Sequence, residues 1–416
     1  MNCQDAIDYI HSINWTFCKP GLERIKMLLE KMGNPQNSLK FVHVAGTNGK
    51  GSFCKMLERA LTLSGYKTGL FTSPYIKVFN ERIQISGKMI EDDQLALITD
   101  FVRPYADGMT DKPTEFELIT AIGLEYFKRQ NCDIVILEAG MGGRLDSTNI
   151  ITTGVLSVIT GIALDHTQFL GDTPEKIAKE KAGIIKKNVP VLFGGESEDT
   201  KQVILNSANE KSAPFFDIDY SNLSVKKMTL DGTVFDYKNY YNMCLALLGE
   251  YQTKNASLVI EATEILNGIG YRVSKDVLKE AFETVYWPAR FEIINKAPLV
   301  IFDGAHNPQG IDASVKSVKT YFKDKKVLVM TGVLKDKDYF YIADRLKEIT
   351  HTAFVFTPEN PRALSKEDYK EVLAEKGINA LTFNSIKEAY AFGVNEAQRL
   401  GLPLMILGSL YTYAYI

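Results

Sequence analysis

The sequence predicts an α/β protein built on mostly parallel sheets. Short runs rich in Val, Ile and Leu recur along the chain, most of them ending in Gly, Ser or Asp, and stretches of helical periodicity separate them. Continuous apolar runs suit strands covered on both faces. A β-α-β-α order implies parallel pairing through right-handed crossovers. A glycine-rich turn between the first run and the first helix adds the signature of a P-loop-type domain.

Taken in order, the strands expected are 41-FVHVAG-46, 68-TGLFTS-73, 133-DIVILEAG-140, 155-VLSVIT-160 and 189-VPVLFG-194, then 299-LVIFDG-304, 326-KVLVMTG-332 and 403-PLMILG-408. Helices are expected over 52–65 and 114–130. Residues 80–86, NERIQIS, read as an edge strand, and 196–240 as an irregular edge-hairpin region. Trp287-Pro288 interrupts a helical pattern, because proline cannot continue the hydrogen-bond ladder. A new α/β series starts at Leu299, so the chain is divided near 295, into 1–295 and a smaller 296–416.

The 416 residues suffice for two or three domains. Apolar residues make up 45% and charged residues 24%, and the net charge is −3. That balance argues against a nucleic-acid partner, yet leaves room for an anionic small molecule met by a local basic cluster. Cys3, Cys18, Cys54, Cys132 and Cys244 are scattered and odd in number, which fits a reducing compartment rather than a disulfide framework. No signal peptide or membrane-length apolar stretch is found, so a cytoplasmic protein is expected.

The strongest chemical signal is 44-VAGTNGKGSF-53. Glycines let backbone N–H groups approach phosphate oxygens, and a helix N-terminus favours the negative charge. Lys50 would reach the outer phosphates. The usual pattern needs a hydroxyl directly after the lysine, where Gly51 sits; Ser52 comes one position late. A metal ligand should therefore come from elsewhere. A plain strand-turn-helix is the competing reading.

The segment Gly46, Thr47, Asn48, Gly49, Lys50, Gly51, Ser52 resembles the phosphate loop of the Mur ligase superfamily, in its folylpolyglutamate synthase branch. Eight further segments resemble that branch in the same order: 72-TSPYIKVFNERIQISG-87, 114-TEFELITA-121, 138-EAGMGGRLDSTN-149, 165-DHTQFLG-171, 179-KEKAGII-185, 290-RFE-292, 303-DGAHNP-308 and 332-GVLKDKD-338. The resemblance implies an ATPase domain followed by a smaller Rossmann-like domain. It implies a ligase that activates a folate carboxylate with ATP as an acyl-phosphate and joins it to L-glutamate, with two Mg²⁺ sites, and a monomer. Dihydropteroate as the acceptor, alone or alongside folate, stays open. So does a non-catalytic nucleotide-binding protein on the same fold.

Residue by residue, the resemblance makes Lys50, His166 and Lys181 catalytic, and Ser73, Glu138 and His166 metal ligands. It makes Arg290, Asp303 and His306 nucleotide contacts beside the loop at 46–52. Read from the residues alone, Ser73 is a turn hydroxyl, Glu138 a helix cap or a partner for Arg144, and His166 a packing residue. Arg290 reads as a surface ion pair and DGAHNP as a turn. Lys181 shares a helical face with Ile177, Ile184 and Ile185, where burial disfavours the ammonium. A neutral amine takes up CO₂, and the resemblance implies a carbamylated Lys181. Lys176, Lys179 and Lys186 fall off that face and read as solvated. Arg82 is matched to a substrate carboxylate, with Tyr75 or Phe79 stacking on a pteridine and Asp146 turned toward it.

Overall fold

A computed structural model describes residues 1–12, 21–323 and 325–416. Cys18 lies outside the described residues; Cys3, Cys54, Cys132 and Cys244 are unbridged thiols. Among the described residues no helix is long and apolar enough to cross a membrane. The chain forms two compact units: Met1–Tyr220 with Asn255–Phe282, and Ser221–Lys254 with Glu283–Ile416.

The first unit is built on eight strands: β1 (Phe41–Ala45), β2 (Thr68–Phe71), β3 (Ile83–Ile85), β4 (Lys88–Met89), β5 (Ile134–Glu138), β6 (Gly154–Ile159), β7 (Val191–Phe193) and β8 (Phe215–Asp217). Their order across the sheet is β4-β3-β2-β5-β1-β6-β7-β8. From β2 to β8 every pairing is parallel, and only β3 and β4 run antiparallel at the edge. All five residues of β1 and of β5 are buried, which explains their unbroken apolar runs. Helices Asp92–Asp107 and Glu115–Arg129 join the strands in one apolar cluster, and Pro174–Ala182 with Glu198–Glu210 in another. Thr114 caps Glu115–Arg129 through a reciprocal bond with Glu117, so that helix begins where the sequence turns from TEFE to apolar spacing.

The second unit holds a three-stranded antiparallel sheet, β9 (Leu223–Thr229), β10 (Gly232–Tyr237) and β11 (Tyr240–Leu245), in the order β11-β10-β9. A six-stranded sheet follows, from β12 (Glu292–Lys296), β13 (Leu299–Phe302), β14 (Leu328–Thr331), β15 (Thr352–Val355), β16 (Asn379–Thr382) and β17 (Leu404–Leu407). Its order is β12-β13-β17-β14-β15-β16, parallel except for β12.

The eight strands read from the sequence all form. The irregular region at 196–240 is more ordered than expected, with helix Glu198–Glu210 and the start of the antiparallel sheet. NERIQIS is half strand, since Phe79–Arg82 winds a 3₁₀ turn before β3. The division at 295 falls inside β12, whose hairpin with β13 draws the second unit's sheet back to Glu292.

Candidate active site

The site in the first unit is built at the carboxyl ends of four adjacent strands, β2, β5, β1 and β6. Ligands in open parallel sheets gather at such ends. After β1 the chain makes the glycine loop and enters helix Lys50–Leu63. The helical ladder begins with Phe53 N–H donating to Gly49 O at 2.9 Å, so the amides of the first turn point out of the helix end. Gly49 caps that end at φ 84°, a left-handed conformation that favours glycine. A Cβ on Gly46 would stand 1.9 Å from Thr160 Oγ1, and one on Gly49 2.6 Å from Asn255 Oδ1.

The loop is stapled to the segment after β6. Thr47 N–H donates to Gly161 O at 2.9 Å, Thr47 Oγ1 to Ala163 O at 3.1 Å, and Thr160 Oγ1 to Asn48 O at 2.6 Å. Lys50 folds its ammonium back over the loop, donating to Gly46 O at 2.9 Å and Thr47 O at 3.2 Å. The ammonium is therefore held against the carbonyls of the glycine loop. Ser52 is buried in the first helical turn.

Glu138 ends β5 beside Val44 and is buried. Ser73, just past β2, donates its N–H to Glu138 Oε2 at 3.3 Å, which brings the two oxygen-bearing side chains together. Hydroxyl and carboxylate oxygens are the donors Mg²⁺ prefers, and it commonly completes its shell with phosphate oxygens and water. The chemistry of this pair therefore fits that ion. His166 stands at φ 49° as the cap of the short helix Thr167–Leu170, half-exposed and beside Asp165. The alternative pairing of Glu138 with Arg144 is not formed, because Arg144 Nη2 bonds Glu180 Oε1 at 2.9 Å.

Lys181 is only 3% exposed in helix Pro174–Ala182. Burial, and next the nearby Lys50 charge, push its amine down to about 7, against the pull of Asp165 and Asp146. These influences place the glycine loop, the segment after β6 and the 140–146 loop around one amine. The helix stops at Ala182, yet Ile177, Ile184 and Ile185 are all buried with Lys181. Lys176 and Lys179 are solvated as read. Lys186 is not: it is partly buried and donates to Asn149 O and Oδ1, each at 2.8 Å.

Two residues read from the sequence as substrate contacts stand differently from that reading. Arg82 is buried, lies over the rings of Tyr75 (5.2 Å) and Phe79 (5.7 Å), and donates from Nη1 to Ser73 Oγ at 3.2 Å. Phe79 is a core residue. Asp146 turns its carboxylate into its own loop, accepting from Met141 N at 2.9 Å, Thr148 N at 3.0 Å and Thr148 Oγ1 at 2.5 Å, and from the backbone of Gly140. Four donors fill a carboxylate's usual capacity.

In the second unit, Arg290 is flanked by Ala289 and Phe291 at φ 57° and 46°, and its Nη1 donates to Ala289 O at 3.0 Å. Two departures of this kind in non-glycine residues, one on each side of Arg290, mark a strained, shaped turn. Asp303 follows β13, buried, accepting from Ser314 Oγ at 2.6 Å and Tyr251 Oη at 3.1 Å. His306 Nδ1 lies 2.8 Å from Gly304 O, so its proton sits on Nδ1. Asn307 caps helix Pro308–Phe322.

Residues 44–263 match the Mur ligase middle domain, and 289–409 the glutamate ligase domain of Mur ligases. A folylpolyglutamate synthase from Lacticaseibacillus casei is 36% identical over 424 residues, spanning 99% of this chain and 97% of that protein. This chain belongs to the folylpolyglutamate synthase/dihydrofolate synthase family of Mur ligases. A family member from Bacillus subtilis, a dihydrofolate synthase/folylpolyglutamate synthase, is 37% identical over 378 residues and 88% of each chain. Among solved structures, Escherichia coli FolC in complex with DHPP and ADP superposes with a TM-score of 0.89 at 30% identity, covering 100% of this chain and 96% of that one. A folylpolyglutamate synthase complex with AMPPCP and folate gives 0.87 at 33%, covering 100% and 98%.

Residues around the candidate site that sequence reasoning missed in this Mur ligase are Thr160, Asn255 and Thr148. Thr148 lay within the DSTN run already singled out. Asn255 had no signal, since it sits in a helix more than two hundred residues from the loop it touches.

Proposed function

We propose that this ligase extends a folate by L-glutamate, with ATP as the activating substrate. The observation that carries this reading is the Lys50 ammonium held over the glycine loop, with Ser73 and Glu138 at neighbouring strand ends and the buried helical Lys181 within the field of Lys50. The family membership supplies the substrate class.

The loop amides and Lys50 would hold the phosphates and stabilise charge on the transferring phosphoryl group. A carboxylate oxygen of the folate attacks the γ-phosphorus, and ADP leaves. The glutamate amine then attacks the acyl carbon, phosphate departs with the carboxylate oxygen, and the amine sheds a proton. Ser73, Glu138 and His166 are the residues that would hold Mg²⁺. Bound there, the ion would neutralise phosphate charge. Lys181, with its pKa lowered to about 7, has a share of neutral amine at pH 7 able to take up CO₂, and its carbamate would restore a negative charge to the buried site. Arg290 and His306 are assigned to the nucleotide, with Asp303 holding their turn. Asp146 is assigned to the substrate through the loop it shapes, and Arg82 through Ser73.

The test is ADP release with L-glutamate and either tetrahydrofolate or dihydropteroate. Release with tetrahydrofolate, abolished by Lys50→Ala in a protein of unchanged circular dichroism, is expected. Release with dihydropteroate alone would reassign the enzyme to the first glutamate addition. Release with neither would favour the non-catalytic reading.

A further inference from the structure

A buried histidine lies beneath the substrate loop and has no part in the reaction above. His43 sits in the middle of β1, 1% exposed. Its Nε2 is 2.8 Å from Thr148 Oγ1, and Thr148, fully buried, reaches Asp146 Oδ1 at 2.5 Å. A threonine hydroxyl has one proton to give. Burial raises the Asp146 pKa, but its oxygens accept from the backbone of Gly140, Met141 and Thr148, which favours the carboxylate. A carboxylate only accepts, so Thr148 donates to Asp146 and must accept from His43. The imidazole proton is thereby fixed on Nε2.

The opposite order would put that proton on Nδ1, which is buried without a hydrogen-bond partner. An unpaired buried N–H costs roughly 1–3 kcal/mol. A second proton on the ring is opposed by burial and by the Lys186 ammonium, which hold the imidazole pKa down to about 3. The chain therefore runs one way, from His43 Nε2–H to Thr148 Oγ1–H to Asp146. It ties β1, the strand that feeds the phosphate loop, to the 140–148 loop. The same loop is fixed at its far end by Asn149, which donates to Arg144 O at 3.1 Å and Gly183 O at 3.0 Å.

We propose that His43 is a positioning residue for the folate substrate, acting through Thr148 and Asp146 to hold the 140–148 loop in its binding shape. The proposal rests on the reading that this loop carries the substrate. His43→Leu removes the donor, whereas the side-chain amide of His43→Gln restores an N–H. His43→Leu should raise KM for tetrahydrofolate about tenfold, the equivalent of one lost buried hydrogen bond. KM for ATP and kcat should stay near wild type, and His43→Gln should recover most of the folate affinity. Thr148→Val, of the same shape, should repeat the loss and Thr148→Ser should not, which keeps the test available if His43→Leu does not fold. Equal loss for ATP and folate, or the same KM for the Leu and Gln variants, overturns the proposal. Asp146→Asn separates the two readings. If it leaves the folate KM unchanged, the loop does not carry the substrate and both fall. If it raises that KM while His43→Leu and Thr148→Val do not, only the role of His43 falls.

Discussion

At the scale of single residues, the sequence was most informative where a side chain breaks its local pattern. Lys181 stood out as a lysine on an apolar face, and it is buried as that spacing implied. Its lowered pKa makes a directional prediction. The unfolded chain keeps this proton up to about 10.5, and the folded chain only below about 7. Between those values the unfolded state binds more protons, so the stability cost of Lys181 is greatest near and below pH 7 and fades as pH rises. Lys181→Met, in carbonate-free buffer, should stabilise the protein by roughly 4 kcal/mol at pH 7. The gain should shrink toward pH 10, as thermal unfolding at the two pH values would show. The same variant should lose turnover, and short-chain carboxylates should restore part of it if a carbamate is needed. Arg82 and Asp146 were less legible. Residue type gave their charge, but their partners, Ser73 Oγ and the loop amides, depend on turns that hydrophobic patterning does not encode.

At the scale of elements, the strands and the phosphate helix were legible because burial on both faces writes continuous apolar runs. The antiparallel sheet at β9 to β11 was read only as an irregular hairpin region, since its outer strand β9 is largely exposed and its central strand β10 alternates. Strand β16 was missed for a related reason: it lies at the sheet edge, three of its four residues are exposed, and it carries no apolar run. The 140–148 loop shows how elements hold the site. A Cβ on Gly143 would stand 2.9 Å from the carbonyl oxygens of Glu180 and Lys181, at the end of the helix that carries the buried amine. Gly143→Ala should therefore cost about 1–3 kcal/mol by overpacking. It should also lower kcat by displacing that helix end, whereas a variant at exposed Lys179 should do neither. Denaturant unfolding and steady-state kinetics on both variants check this.

At the scale of the whole molecule, the order of the chemical motifs along the chain was legible, and the way the chain is shared between its units was not. The second unit takes Ser221–Lys254 as well as the C-terminal residues, and the intervening Asn255–Phe282 returns to the first. A sequence read in one direction gives no sign of such an exchange. A fragment 296–416, cut as the sequence suggested, would leave the edge of β13 without its hairpin partner β12. Exposed apolar edges invite association, so it should be less soluble than a fragment beginning at Glu283, by sedimentation at matched concentration. The central claim for the molecule is chemical: activation of a carboxylate as an acyl-phosphate. The most direct measurement uses a folate whose terminal carboxylate carries heavy oxygen, with ATP and L-glutamate, and reads the isotope in the released phosphate by mass spectrometry. Transfer of one labelled oxygen to each phosphate is the predicted result. Phosphate without label, formed alongside the glutamylated product, would contradict the account.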